Sequence, residues 1–96
     1  MKTSLLLLSD TELQKKLQRQ DQLAFEVLFD RYWKRLYSFA FKIYKEEAIC
    51  EDIVQEIFIS LWEKSINTNI VNLEGYLLRA VKYKVANYIR DLKFDS

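Results

Sequence analysis

Apolar residues recur at intervals of three and four along most of the chain, which is the period of amphipathic α-helices. Ser9 and Glu12 have the spacing of a capping box and predict a short first helix over about residues 10–19. Asp21 is the next candidate N-cap and opens a long second helix that extends to Lys45. The first half of the chain is therefore predicted to be helical.

The second half of the chain predicts two further helices. The third begins near Glu47 and ends at about Ser65, with acids in its first turns, where the helix dipole favours negative charge. Residues 66–72 contain three asparagines and predict a loop. Asn72 then caps a fourth helix over about residues 73–93. The predicted fold is all-α: a compact bundle of three long helices plus a short N-terminal helix.

The chain divides into an N-terminal arm (residues 1–8), a helical domain (9–93) and a C-terminal end (94–96). The arm holds four consecutive leucines, which we expect to pack on the domain or to form an exposed, sticky segment. A signal peptide needs a longer apolar run and a cleavage site of small residues. No stretch approaches the roughly 18 apolar residues of a membrane span.

The composition excludes several functional classes. The 96 residues include one glycine, no proline, no histidine and one cysteine. Rossmann folds and P-loops need glycines at fixed places, and histidine-dependent catalysis or metal binding is impossible. Cys50 falls on the predicted buried stripe, and a single cysteine makes no internal disulfide, which favours a reducing cytoplasm. We expect no catalytic residue, no metal and no cofactor, since carboxylate pairs such as Asp52 and Glu56 on a convex helix form no cleft.

Charge is segregated along the chain although the net charge is only +1. Residues 46–63 carry six acids and no base, whereas residues 79–93 carry five bases and one acid. An acidic and a basic element within one small domain predict two different partners.

The third helix combines a buried stripe with an unusual outer face. Its stripe is predicted to contain Cys50, Ile53, Val54, Ile57, Phe58 and Leu61. Its outer face places apolar Ile59 among carboxylates and an amide, with Trp62 at the edge. An apolar anchor with a polar rim is typical of a protein-docking patch. We define the docking patch as Asp52, Gln55, Glu56, Ile59 and Trp62; the alternative is a solvated face on which Ile59 is simply exposed.

The fourth helix predicts a basic face opposite its core stripe. The stripe is expected to hold Leu77, Leu78, Val81, Val85, Tyr88 and Leu92. The basic face carries Arg79, Lys82, Arg90 and Lys93, flanked by Tyr76, Tyr83 and Asn87. Cations attract phosphates, aromatic rings stack on unpaired bases and amides read base edges, which suits single-stranded nucleic acid. The alternative is a lysine-rich solvated helix with tyrosines at the core boundary.

Aromatic residues are densest in the second helix. We expect Phe25, Phe29 and Leu36 to lie in the hydrophobic core. Tyr32, Trp33 and Phe41 cannot all point the same way as those three. Some of them are expected to lie against the first helix or on an exposed surface.

Three segments together resemble a known family. They are DQLAFEVLFDRYWKRLY (21–37), EDIVQEIFISLW (51–62) and LEGYLLRAVKYKVANYIR (73–90). In order and spacing they resemble region 2 of bacterial sigma factors in the sigma-70 superfamily, specifically the extracytoplasmic-function group. The second segment is the most specific, and the resemblance covers about residues 21–93.

The resemblance implies a non-enzymatic transcription initiation module that binds core RNA polymerase and recognises and opens the promoter −10 element. It implies that the third helix docks on the clamp helices of the largest polymerase subunit through Asp52 and Gln55, with Glu56, Ile59 and Trp62 nearby. It assigns single-stranded −10 DNA to the 66–72 loop, which holds a flipped base, and to the fourth helix. The matching positions are Asn67, Thr68, Asn69, Tyr76, Arg79, Lys82, Tyr83, Asn87 and Arg90. An anti-sigma factor is a further implied partner, and no membrane partner is expected.

The chain departs from the family pattern in three respects. Tyr76 stands where tryptophan is common, and Tyr83 stands where asparagine is common, which replaces a polar base contact with a stacking surface. The chain ends at Ser96, before the second domain that reads the −35 element, so we expect an isolated domain or a fragment. The main alternative is an all-helical interaction adaptor without DNA binding. A weaker alternative is a membrane-surface helix that uses the N-terminal leucines.

Overall fold

The structure is a computed structural model that describes residues 2–67 and 69–95. Its helices are α1 (Lys2–Leu5), α2 (Asp10–Leu17), α3 (Gln22–Ile43), α4 (Glu47–Lys64) and α5 (Leu73–Asp95). No strand occurs within the described ranges, so the all-α prediction is confirmed. Among those same residues, no helix has the length and hydropathy needed to cross a membrane.

The helix starts follow the predicted capping residues. Ser9 Oγ accepts a bond from the Glu12 N–H, and the Ser9 N–H donates to the Glu12 carboxylate, which completes the capping box. This second bond holds the pKa of Glu12 below its usual value. Asp21 accepts bonds from two N–H groups of the first turn of α3. The amide oxygen of Asn72 accepts a bond from the Gly75 N–H at 3.0 Å, at the start of α5.

The hydrophobic core lies between α3, α4 and α5, and α3 contacts each of the other four helices. The predicted stripe of α4 is buried at all six positions. On α5, Leu77, Val81 and Val85 are buried as predicted, and Leu78 and Tyr88 are partly buried. Leu92 is 43% exposed, so the prediction that it lies in the core is wrong. Leu92 lies in the last turn of α5. Because α5 has 23 residues and the neighbouring α4 has 18, α4 covers this end of α5 less than the middle.

Two aromatic residues of α3, Phe25 and Phe29, pack against α4. Leu36 is fully buried as predicted, but Phe25 and Phe29 are only partly buried against the core. Both rings contact Phe58 of α4, with centroids 6.3 and 4.8 Å away. They lie at the edge of the interface and are not fully covered.

The N-terminal segment packs on α3 through both apolar and polar contacts. Leu5 is buried, whereas Leu6 and Leu7 are exposed, so the leucine run is divided between core and surface. The Arg31 guanidinium donates to the carbonyls of residues 6 and 8 and pairs with the Asp10 carboxylate at 2.9 Å. Tyr32 is buried, and its hydroxyl donates to the same carboxylate. Burial is the larger cause and this hydrogen bond the second cause that raise the pKa of Tyr32.

Candidate functional site

The apolar half of the docking patch is a depression between α3 and α4. Ile59 is 55% exposed, and Trp62 is half-buried beside it. Gln22 and Phe25 of α3 complete the lining, and the Phe25 ring meets the Trp62 ring edge-on at 5.3 Å. A helical wheel of α4 could not find Gln22 and Phe25, because they come from a different helix. The aromatic density of the second predicted helix was the only signal for Phe25.

The acidic half of the docking patch borders α5. Asp52 and Glu56 line a groove between α4 and α5 that also includes Lys84 and Asn87. Lys84 Nζ lies 3.4 Å from Glu56 Oε2, an exposed ion pair that joins the two helices. Such pairs are weak in water. Gln55 is exposed on the same face of α4.

The basic face predicted for α5 is divided into two sides. On the side toward α4, Tyr76, Tyr83 and Asn87 line one groove together with Lys64 and Lys84. Tyr83 is 71% exposed, and Tyr76 and Asn87 are half-buried. The sequence analysis missed both lysines as neighbours of the tyrosines, because their proximity depends on how α4 packs against α5.

The other side of α5 faces the end of α3. Lys82 and Arg90 line a second groove, which also contains Lys93 and the apolar residues Ile43, Ala86 and Ile89. Arg79 is exposed and lines neither groove. Three of the four predicted cations therefore share one groove, and the predicted tyrosines and amide line the other.

The loop between α4 and α5 presents polar side chains outward. Asn67 and Asn69 are exposed, while the predicted position Thr68 lies outside the described residues. Ile70 is half-buried, and both of its main-chain polar groups bond to the side chain of Gln14 in α2. Gln14 was not predicted as a functional residue, because nothing local in the sequence connects it with this loop.

Cys50 is buried as predicted. Its thiol donates to the Tyr44 carbonyl at 3.1 Å, and burial raises its pKa, so the reactive thiolate is disfavoured. In the part of the chain that the structure describes, no group of three or more His, Cys, Asp or Glu residues could hold a metal ion.

Comparison with known proteins identifies the region that carries both faces. The family model for sigma-70 region 2 matches residues 28–94, more than two thirds of the chain. No curated protein and no solved structure gives a significant match. The matched region includes most of α3, all of α4, the loop and nearly all of α5, and it leaves α1 and α2 outside. The chain therefore belongs to the sigma-70 region 2 family of transcription initiation factors.

Proposed function

We propose that this domain binds core RNA polymerase through the docking patch on α4 and engages the unwound −10 strand through the 66–72 loop and α5. Membership of the family gives a sigma-factor role in transcription initiation, with polymerase and promoter DNA as partners. The observation that carries the finer assignment is the presence of two exposed faces of opposite charge on adjacent helices inside the matched region.

The docking patch suits a partner with basic groups around an apolar contact. Asp52 and Gln55 are exposed and form no hydrogen bond or ion pair with the described residues, so their polar groups are available. Ile59 and Trp62 offer an apolar anchor beside them. Anchors that become desolvated at the centre of an interface supply most of its binding energy. We assign this patch to the clamp helices of the largest polymerase subunit, as the family resemblance implies.

The faces of α5 suit single-stranded DNA. Arg79 and Lys82 are exposed and form no ion pair with the described residues, so their charges are free to meet phosphates. Tyr83 presents most of its ring to solvent, and an unpaired base can stack on it. An anti-sigma factor that covers these same surfaces is the regulatory partner that we expect from the family resemblance.

The docking assignment is tested by pull-down of the 96-residue chain with a polymerase clamp-helix fragment. Replacing Asp52 and Gln55 together by alanine should weaken binding at least about tenfold, since two polar contacts next to the apolar anchor are lost. The control replaces Ser38 and Glu46 by alanine, which removes the same charge from exposed positions outside the patch. Wild-type binding by the Asp52/Gln55 variant would overturn the docking assignment.

The DNA assignment is tested by fluorescence anisotropy with a single-stranded −10 oligonucleotide over a range of salt concentrations. The variant Arg79→Ala/Lys82→Ala should bind more weakly and lower the slope of log K against log salt by about 1.4, because each phosphate contact on a single strand contributes about 0.7. The control Lys15→Ala/Lys34→Ala loses the same charge from exposed sites on α2 and α3. Undiminished binding by the Arg79/Lys82 variant would contradict the basic-face assignment. Absence of any affinity at low salt would favour the adaptor alternative.

A further inference from the structure

The loop between α4 and α5 is held from beneath by a side chain of α2. Gln14 is only 3% exposed. Its Nε2 donates to the Ile70 carbonyl at 2.8 Å, and its Oε1 accepts a bond from the Ile70 N–H at 2.8 Å. One primary amide thus satisfies both main-chain groups of a loop residue 56 positions away in sequence. Because the Gln14 side chain is buried, loss of these bonds would leave its amide unsatisfied, which favours this single loop path.

The other end of the loop is also attached to the α2 region. Ser65 Oγ lies 3.2 Å from the Leu17 carbonyl, and Gln20 Nε2 donates to the same hydroxyl at 3.3 Å. Leu17 itself is buried and holds the end of α2 in the core. Residues 14–20 therefore contact the loop on both sides of its asparagines, at Ser65 and at Ile70, and Asn67 and Asn69 are exposed between these attachments.

These attachments come from outside the region that the family model matches, which begins at residue 28. We propose that α2 is part of the base-recognition site and that Gln14 is a positioning residue, which holds the loop backbone at Ile70 so that Asn67 and Asn69 are presented to an unpaired base. This inference rests on the proposed binding of the −10 strand. It adds a residue that acts through the loop backbone and not through contact with DNA.

The space beneath the loop is consistent with an indirect role. A cavity lined by Gln14, Ile70 and Tyr76, among others, has a volume of about 10 Å³. That volume accommodates about one water molecule and excludes a base. The base must therefore lie on the outer side of the loop, on the face opposite Gln14.

The experiment compares the wild-type 96-residue chain with Gln14→Met, which keeps the length of the side chain and removes both hydrogen bonds. Binding is measured to the single-stranded −10 oligonucleotide and to a series in which one base at a time is replaced by an abasic site. In the wild type we expect about a tenfold loss at one position, the size of one base contact. In Gln14→Met that loss should fall to about twofold, while the salt slope stays unchanged because the cations of α5 are untouched. Thr11→Met, at an exposed position of the same helix α2, is the control and should behave as the wild type.

Amide hydrogen exchange gives a direct readout of the attachment. The Ile70 N–H should exchange faster in Gln14→Met, while the Val81 N–H in the core of α5 keeps its wild-type rate. The variant Gln14→Glu retains an acceptor for the Ile70 N–H and loses the donor to the Ile70 carbonyl. We expect it to give intermediate exchange at Ile70 and an intermediate abasic penalty.

The outcomes separate this inference from the proposed function. A wild type with no abasic-sensitive position would contradict both. If the wild type has such a position and Gln14→Met loses the same affinity when that base is removed, only the role of Gln14 would be overturned. Loss of helical circular dichroism in both Gln14 variants would make Gln14 a determinant of the whole fold and would likewise overturn the positioning role.

Discussion

The outer faces of α4 and α5 belong to neighbouring helices but offer different kinds of binding surface. On α4, Ile59 and Trp62 form one apolar depression with Phe25, and the acids lie beside it. On α5, Tyr76 and Tyr83 line one groove with Lys64 and Lys84, whereas Lys82, Arg90 and Lys93 line another. We expect binding energy at α4 to be concentrated in a few anchors and binding energy at α5 to be spread over many contacts screened by salt.

The two faces also adjoin. The ion pair between Glu56 of the docking patch and Lys84 of α5 crosses the boundary between them. Polymerase and DNA are therefore expected to bind side by side on this domain. Single substitutions can test whether the binding energy is concentrated in a few residues on α4 and spread over many residues on α5.

The largest effect is expected at the apolar anchor of α4. Ile59→Glu should weaken binding to the clamp-helix fragment by about 30-fold, or about 2 kcal/mol, because a charge would have to be buried at the centre of the interface. Pull-down or calorimetry measures the affinity. Ile43→Glu is the control, since Ile43 is also partly exposed but lies 18 residues after Phe25 on α3, about 27 Å away. Equal losses in the two variants would mean that the depression has no special role.

A smaller effect is expected from a single aromatic ring on α5. Tyr83→Ala should weaken binding of the single-stranded −10 oligonucleotide about tenfold, which is within the range for loss of one stacked base. The salt slope should not change, because no charge is removed. Tyr83→Phe keeps the ring and should retain the affinity. A changed slope in Tyr83→Ala, or an equal loss in Tyr83→Phe, would contradict stacking.

The smallest effect is expected where the two faces meet. Lys84→Met removes the pair with Glu56 and should change the free energy of unfolding in urea by less than about 0.5 kcal/mol, since both side chains are exposed. The salt slope for single-stranded DNA should fall by about 0.7, while binding to the clamp-helix fragment stays within twofold. Lys45→Met, at an exposed position between α3 and α4, is the control. If Lys84→Met lost polymerase binding and kept the salt slope for single-stranded DNA, Lys84 would belong to the polymerase-docking surface and not to the DNA-binding surface.

Much of the fold could be predicted because it depends on local interactions. The capping residues Ser9, Asp21 and Asn72 satisfy N–H groups two or three positions away, so the sequence reveals them. The buried stripe of α4 follows from helical periodicity alone. Leu92 was misjudged because periodicity indicates the direction of a side chain and not whether another helix covers it.

The candidate site was predicted less completely than the fold. A wheel of one helix placed Ile59 on the outer face of α4, but it could not supply Phe25 from α3. It also grouped Tyr83 with Lys82 as one basic face, whereas the neighbouring helices assign them to different grooves. Neighbours across a helix interface are set by packing, which no single helix encodes.

The sequence by itself determined helices α2 to α5, the caps of α2, α3 and α5, and the charge segregation, but not α1. It also determined the family resemblance, which the family match confirms, while the extracytoplasmic-function group stays a prediction. Only the tertiary structure decided which residues share a groove and that Gln14 holds the loop at Ile70. The physical reason is the range of the interactions. Capping and periodicity act within a few residues, whereas a buried amide must bond with whatever polar group the packed chain brings to it.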